Sequence, residues 1–346
     1  MSNHVHGGDI YRYKNVMDFS SNCNPFGTPE SVKKAICRAA EDVHNYPDVE
    51  YTRLKEKLAG ETGIPEESIF CGNGAAEVIF CATSALKPKK ALIPVPTFAE
   101  YEQALRACGC TPDYYMLSEE KGFRPEYDFI DKIDETTEAV FICNPANPTG
   151  VLLDREFVEA AALKCREKGA VLILDECFLD FVEDKESYTM TGLLEEYPNM
   201  LILKAFTKLY AMAGVRLGYG LCSDKAFIEK MRDSVQPWNV STPAQYAGIA
   251  ALDEKEYVNK SLNEIRSERD RLRKAVEDIG FTVYQSSANY IFFRGPQNLW
   301  EKCLAEGVLL RDCSNYRGLE KGYYRAAVRL KEENDRLIEV LRKVKD

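Results

Sequence analysis

Short apolar runs, each closed by a polar residue or a glycine, alternate along much of the chain with stretches whose apolar residues recur at helical spacing. The runs predict buried strands and the spaced stretches amphipathic helices. Strands are expected at the start of the segment 69–86, over 91–95, 138–143, 170–174 and 201–203, and again from Leu217. Helices are expected from Pro29, where Val32, Ala35, Ile36 and Ala39 share a face, over 54–62, after the glycine turn in GNGAAE at 72–77, from near Ala99, and over 154–168. This alternation predicts a mostly parallel sheet with right-handed crossovers and a ligand at the carboxyl ends of its strands. After Pro237 the pattern changes to a long charged helix over 257–279 and short strands at 282–284, 290–294, 308–311 and 323–328. The fold class is therefore α/β: a large domain over 29–236 with its sheet inside an α/β/α sandwich, and a smaller α+β domain built from 1–28 and 237–346.

Composition narrows the function. A chain of 346 residues with 45% hydrophobic content can bury one large core and a second, smaller one. A net charge of -10 argues against a nucleic-acid surface, so an anionic ligand needs a locally basic pocket. No apolar run reaches the length of a membrane span, and the N-terminus lacks the apolar core of a signal peptide, so a cytoplasmic protein is expected. The twelve cysteines are scattered from Cys23 to Cys313 and, with three histidines and no CxxC pair, predict neither a disulfide framework nor a metal site. Thiols in apolar runs, such as Cys81, Cys143 and Cys177, read as small core residues.

The candidate chemistry sits where strands end. Lys208, with the Thr207 hydroxyl beside it and Arg216 eight positions on, suits a Schiff base to a ligand whose anionic group Arg216 holds; taken alone, it is equally a solvated loop lysine. In GNGAAE the N–H groups of Ala75 and Ala76 open a helix and point at whatever lies before them, an anion site shared by many strand-to-helix turns. Phe98 follows a strand end and either stacks on a flat ring or fills the core. The two Asn-Pro steps of NPANPTG at 144–150 form a rigid turn from which Asn147 presents its amide. Asp175 closes a buried strand and needs a cationic partner. Arg311 and Arg325 at the late strands suggest a doubly anionic substrate, against a plain pair of surface salt bridges. His6, Gly7 and Gly8 offer exposed backbone N–H groups to an anion, or form a mobile terminus.

Three segments together, NPANPTG, LILDECF at 172–178 and FTK at 206–208 followed by Arg216, resemble the fold-type-I pyridoxal-phosphate enzymes of the aspartate aminotransferase superfamily. The resemblance implies that Lys208 carries pyridoxal 5'-phosphate as a Schiff base, that Asp175 pairs with its ring nitrogen, that Asn147 bonds the 3-oxygen and that Phe98 stacks on the ring. It further implies that Ala75, Ala76, Thr207 and Arg216 hold the phosphate and that Tyr46 is lent to the neighbouring subunit, which makes a homodimer with shared active sites. Two positions depart from the pattern: Ala205 replaces a hydroxyl residue at the phosphate, and Phe178 replaces a tyrosine that bonds the ring oxygen.

Within the superfamily, HGG at 6–8, DFSSNCNPFG at 18–27, DECFLDF at 175–181, PWNV at 237–240 and RDCSNYRGLEKGYYRAAVR at 311–329 are more similar to the threonine-phosphate decarboxylases of cobalamin biosynthesis than to the histidinol-phosphate aminotransferases. The spacer between His6 and Asp18 is shorter than the decarboxylases usually show. By this resemblance His6, Asn22 and Arg311 meet a substrate phosphate, with Gly7 and Gly8 beside them, and Arg325 binds the carboxylate or bridges both anionic ends. Two other classes fit poorly: a dehydrogenase lacks its GxGxxG, and a ligand-sensing transcription regulator lacks room for a DNA-binding domain.

Overall fold

Thirteen strands can be followed through the computed structural model, which describes residues 6–345: β1 (Met17–Asp18), β2 (Ile69–Gly72), β3 (Lys90–Val95), β4 (Thr111–Met116), β5 (Ala139–Cys143), β6 (Val171–Asp175), β7 (Met200–Ala205), β8 (Gly218–Leu221), β9 (Thr282–Tyr284), β10 (Tyr290–Arg294), β11 (Val308–Leu309), β12 (Arg311–Asp312) and β13 (Tyr323–Ala327). The start of the N-terminal arm, residues 1–5, lies outside the described residues.

Seven of these strands form the central sheet in the order β2-β8-β7-β6-β5-β3-β4. The sheet is parallel throughout except for β8, which runs against both β2 and β7. The central strands β5, β6 and β7 read as continuous apolar runs because both of their faces are covered. Leu172, Leu174 and Ile202 pack into one core, while Phe141, Ile173 and Leu201 pack into the other, on the opposite face. The edge strand β4, which the apolar pattern does not predict, mixes exposed and buried positions and carries Pro112.

Four strands, β12-β13-β10-β9, make a second, antiparallel sheet. Leu272 and Val276 of the helix Lys255–Ile279 and Leu337 and Leu341 of the helix Lys331–Val344 cover it, against Ile291, Phe293, Tyr324 and Ala326. The strand expected over 308–311 divides at Leu310: β11 pairs in parallel with β1, and β12 pairs with β13. The pattern also leaves unpredicted the helices Lys225–Arg232 and Thr242–Ala251, capped by the side chains of Asp224 and Ser241. The second packs on the helices Glu30–Ala39 and Thr52–Thr62.

Candidate active site

Asp175 ends β6 directly beside Cys143 at the end of β5, and Leu203 of β7 is its register partner on the other side. The carboxyl ends of these three strands therefore open into one space, a cavity of about 430 Å³. Lys208 reaches the same cavity from the short helix Phe206–Leu209, which follows β7 immediately.

Asp175 is 6% exposed, and no cation pairs with it among the described residues, contrary to the expectation of a cationic partner within the chain. Its Oδ1 accepts from the Cys177 backbone N–H at 2.9 Å and its Oδ2 from the Tyr101 hydroxyl at 2.5 Å. Two neutral donors satisfy the carboxylate's hydrogen bonds without neutralising it, so its charge faces the cavity. Lys208 sits with its Nζ 6.0 Å from the centre of the Phe178 ring. Burial pushes its ammonium below the ordinary lysine value, with Cys23 opposing and the Arg325 and Arg216 guanidiniums adding to the depression.

At one end of the cavity the helix Ala75–Leu86 begins at Gly74, whose φ of +82° suits glycine. Arg216 packs so closely there that a Cβ on Gly74 would stand 2.5 Å from its Nη2. The helix N-terminus at Ala75 and Ala76, Thr207 and the exposed Arg216 thus enclose a cup of N–H groups and positive charge.

Arg325 occupies the other end, 6% exposed. It donates to Asn147 Oδ1 at 2.5 Å and to the Ser20 carbonyl at 3.0 Å, and the Asn22 amide oxygen accepts from it at 3.2 and 3.3 Å. Arg311, also 6% exposed, donates to the Asp312 carbonyl and to Asn315 Oδ1. Neither arginine is a surface salt bridge. His6 stands at the rim with its Nδ1 3.2 Å from Glu100. Gly7 lines the cavity, pressed against the Ser20 carbonyl where a Cβ would not fit, and Gly8 stands outside it, its N–H bonded to Ser20 Oγ.

The structure therefore gathers Lys208, Asp175, Asn147, Phe98, Ala75, Ala76, Thr207, Arg216, His6, Gly7, Asn22, Arg311 and Arg325 around one cavity. Tyr46 is not there: it is 77% exposed and stacks on Trp238 at 4.3 Å. Of the thiols read as core, Cys81 and Cys143 are buried in it, Cys177 is half-buried, and Cys143 and Cys177 also line the cavity. Sequence reasoning missed Tyr101, Glu100 and Tyr316. Tyr101 and Phe98 share an i, i+3 spacing at the start of one helix, the signal that could have found it. All twelve cysteines are free thiols, and among the described residues no cluster could hold a metal ion and no helix is long and apolar enough to cross a membrane.

The family model described as aminotransferase class I and II matches residues 14–341. The threonine-phosphate decarboxylase of Salmonella typhimurium is 36% identical, over 99% of this chain and 97% of its own. Histidinol-phosphate aminotransferase 2 of Archaeoglobus fulgidus is 35% identical, over 96% and 94%. Among solved structures, the histidinol-phosphate aminotransferase of Clostridium acetobutylicum superposes with a TM-score of 0.88 at 31% identity, covering 94% of this chain and 98% of that one. By its fold, its cavity and its match from end to end, this chain belongs to the class I and II aminotransferase family and is a pyridoxal-phosphate-dependent enzyme.

Proposed function

We propose that this chain decarboxylates L-threonine O-3-phosphate to (R)-1-amino-2-propanol O-phosphate in the cytoplasm, as a homodimer serving cobalamin biosynthesis. The observation that carries the reading is the pairing of Arg311 with Arg325. They are directly opposed across β12 and β13, both buried, and both lining the cavity that holds Lys208. Like charges so placed repel, and a substrate with two anionic groups relieves them. Similarity to the Salmonella decarboxylase over nearly the full length of both chains supports the same reading.

The residues present fit the cofactor. Asp175 is a buried carboxylate open to a cationic ring nitrogen, and Gly74 leaves Arg216 the space to close on a phosphate at the helix N-terminus. Lys208 would hold the cofactor covalently, with Asp175 at the ring nitrogen, Phe98 against the ring and Asn147 at the 3-oxygen. Ala75, Ala76, Thr207 and Arg216 would hold its phosphate, joined by Tyr46 of a second copy. When bound, the cofactor supplies an electron sink for the pair left at Cα as a bond there breaks.

The chain's own part is orientation and proton transfer. His6, Asn22 and Arg311 anchor the substrate phosphate, with the glycines at 7 and 8 holding the arm against Ser20, and Arg325 receives the carboxylate. Fixing both ends sets which bond at Cα stands exposed, so binding remote from the reacting carbon is used to choose the reaction. Lys208, whose ammonium is made readier to give up a proton by its buried surroundings, then delivers that proton to Cα and is left as the amine.

A second reading, a histidinol-phosphate aminotransferase, is favoured by the close superposition on the Clostridium structure. Incubation of the holoenzyme with L-threonine O-3-phosphate should release carbon dioxide and aminopropanol phosphate. Histidinol phosphate with 2-oxoglutarate should yield no glutamate, and the reverse result would replace the first reading by the second.

A further inference from the structure

We propose that Tyr101 is a positioning residue that fixes the Asp175 carboxylate in the orientation in which it meets the cofactor ring. The inference rests on the cofactor assignment above. It starts from the Tyr101 hydroxyl donating to Asp175 Oδ2 at 2.5 Å, opposite the Cys177 N–H at Oδ1. With a donor on each oxygen, rotation of the carboxylate about its Cβ–Cγ bond breaks both bonds at once.

The hydroxyl has nowhere else to go. Tyr101 is 1% exposed, its ring is stacked 5.0 Å from Phe141 of β5, and Phe98 meets it edge-on at 5.5 Å. Burial, with the Asp175 charge beside it, pushes the phenol well above its ordinary value, so it remains a donor at every working pH. Asp175 is thereby aimed before any ligand arrives. Because Phe98 rests on the same ring, one side chain sets both the acid at the nitrogen and the aromatic wall of the site.

The experiment uses the full chain freed of cofactor and titrated with pyridoxal phosphate, the dissociation constant being read from absorbance. Tyr101→Phe keeps the ring and removes only the hydroxyl. It should raise the dissociation constant about tenfold, the order expected for one hydrogen bond to a charged group. In an Asp175→Asn background the same substitution should change it little, because the hydroxyl acts through the carboxylate. Phe141→Leu, which disturbs the stack and spares the hydroxyl, should lower the melting temperature more than it lowers affinity. Wild-type affinity in Tyr101→Phe, an equal loss in both backgrounds, or a larger affinity loss in Phe141→Leu than in Tyr101→Phe would each overturn the role. Failure of the wild-type chain to bind pyridoxal phosphate would instead overturn the cofactor assignment, and this role with it.

Discussion

Arg311 and Arg325 are register partners on adjacent antiparallel strands, so two buried guanidiniums face one cavity side by side. A cross-strand pair of like charge costs stability until an anion bridges it. Inorganic phosphate should therefore raise the melting temperature of the wild-type chain, following the logarithm of its concentration, and should do so much less in Arg311→Leu. In the decarboxylation assay Arg325→Leu should raise KM roughly a hundredfold, as loss of one member of a buried charge pair does. Equal stabilisation of wild type and Arg311→Leu by phosphate would place the anion elsewhere.

The depressed Lys208 amine carries its own signature in pH. Between its lowered folded value and the ordinary 10.5, the unfolded chain binds the extra proton, so the stability attached to this site rises with pH across that window. Cofactor-free Lys208→Met, which has no proton to lose, should melt a few degrees above the cofactor-free wild type at pH 7. The gap should close as pH approaches 10.5. Identical melting at every pH would mean that the amine is not desolvated.

The loop between β12 and β13 brings Tyr316 to the cavity and is held by its neighbour. Arg317 donates to Glu102 through Nη2 at 2.8 Å and Nε at 3.1 Å, and its guanidinium lies 4.2 Å over the Tyr114 ring. Burial works to raise the Glu102 carboxyl, but hydrogen bonds from Arg317 and Arg106 prevail and hold it at about 2. A carboxyl so depressed contributes stability above its ordinary value of 4.5 that is lost as pH falls toward 2. Arg317→Ala should flatten the acid limb of the stability profile below pH 4.5 and raise KM severalfold with kcat nearly unchanged. An unchanged KM would show that the loop keeps its place without the clamp.

Much of this site was legible because its residues stand at strand ends, where an apolar run stops and a polar residue must be explained. Asp175, Asn147 and Lys208 announce themselves in that way, and the sheet brings their strand ends together as expected. Tyr101 does not, since an aromatic on the inner face of a helix has the pattern of a core residue whether or not its hydroxyl meets an acid. Cys143 and Cys177 were read as core for the same reason, and they also border the cavity. The strand expected from Leu217 is β8, but its antiparallel direction was not legible, because direction leaves no trace in an apolar run. Its placement follows from Gly218, where a Cβ would stand 2.4 Å from the Ala75 nitrogen.

Tyr46 is the one proposed cofactor residue that stands outside its own chain's cavity, 77% exposed beside Trp238. If a second copy uses it, the defect of Tyr46→Ala is supplied in trans. The variant alone should bind pyridoxal phosphate about tenfold more weakly. Mixed and reassembled with an excess of Lys208→Ala subunits, which bring an intact Tyr46 but cannot bond the cofactor, it should recover wild-type affinity. No recovery, in a mixture shown by sedimentation to contain dimers, would confine Tyr46 to the surface of its own subunit.

Lys204 and Glu176 form a buried ion pair at 2.7 Å, with Glu176 wholly excluded from solvent and also accepting from Thr189 Oγ1 and the Met190 N–H. Their positions matter more than their charge. Glu176 follows Asp175 at the end of β6, and Lys204 lies on β7 just before the helix that carries Lys208. The pair thus ties together the two strand ends from which acid and amine project. Lys204→Met strands a buried carboxylate and should cost about 3–5 kcal/mol in chemical denaturation. It should also weaken cofactor binding, because the strand ends lose their tie. Lys204→Met combined with Glu176→Gln removes both charges while the Thr189 and Met190 bonds can persist, and should restore most of the stability. If the double variant is no more stable than the single, the stranded charge is not the source of the loss, and the contact between the lysine stem and its neighbours holds these strands instead.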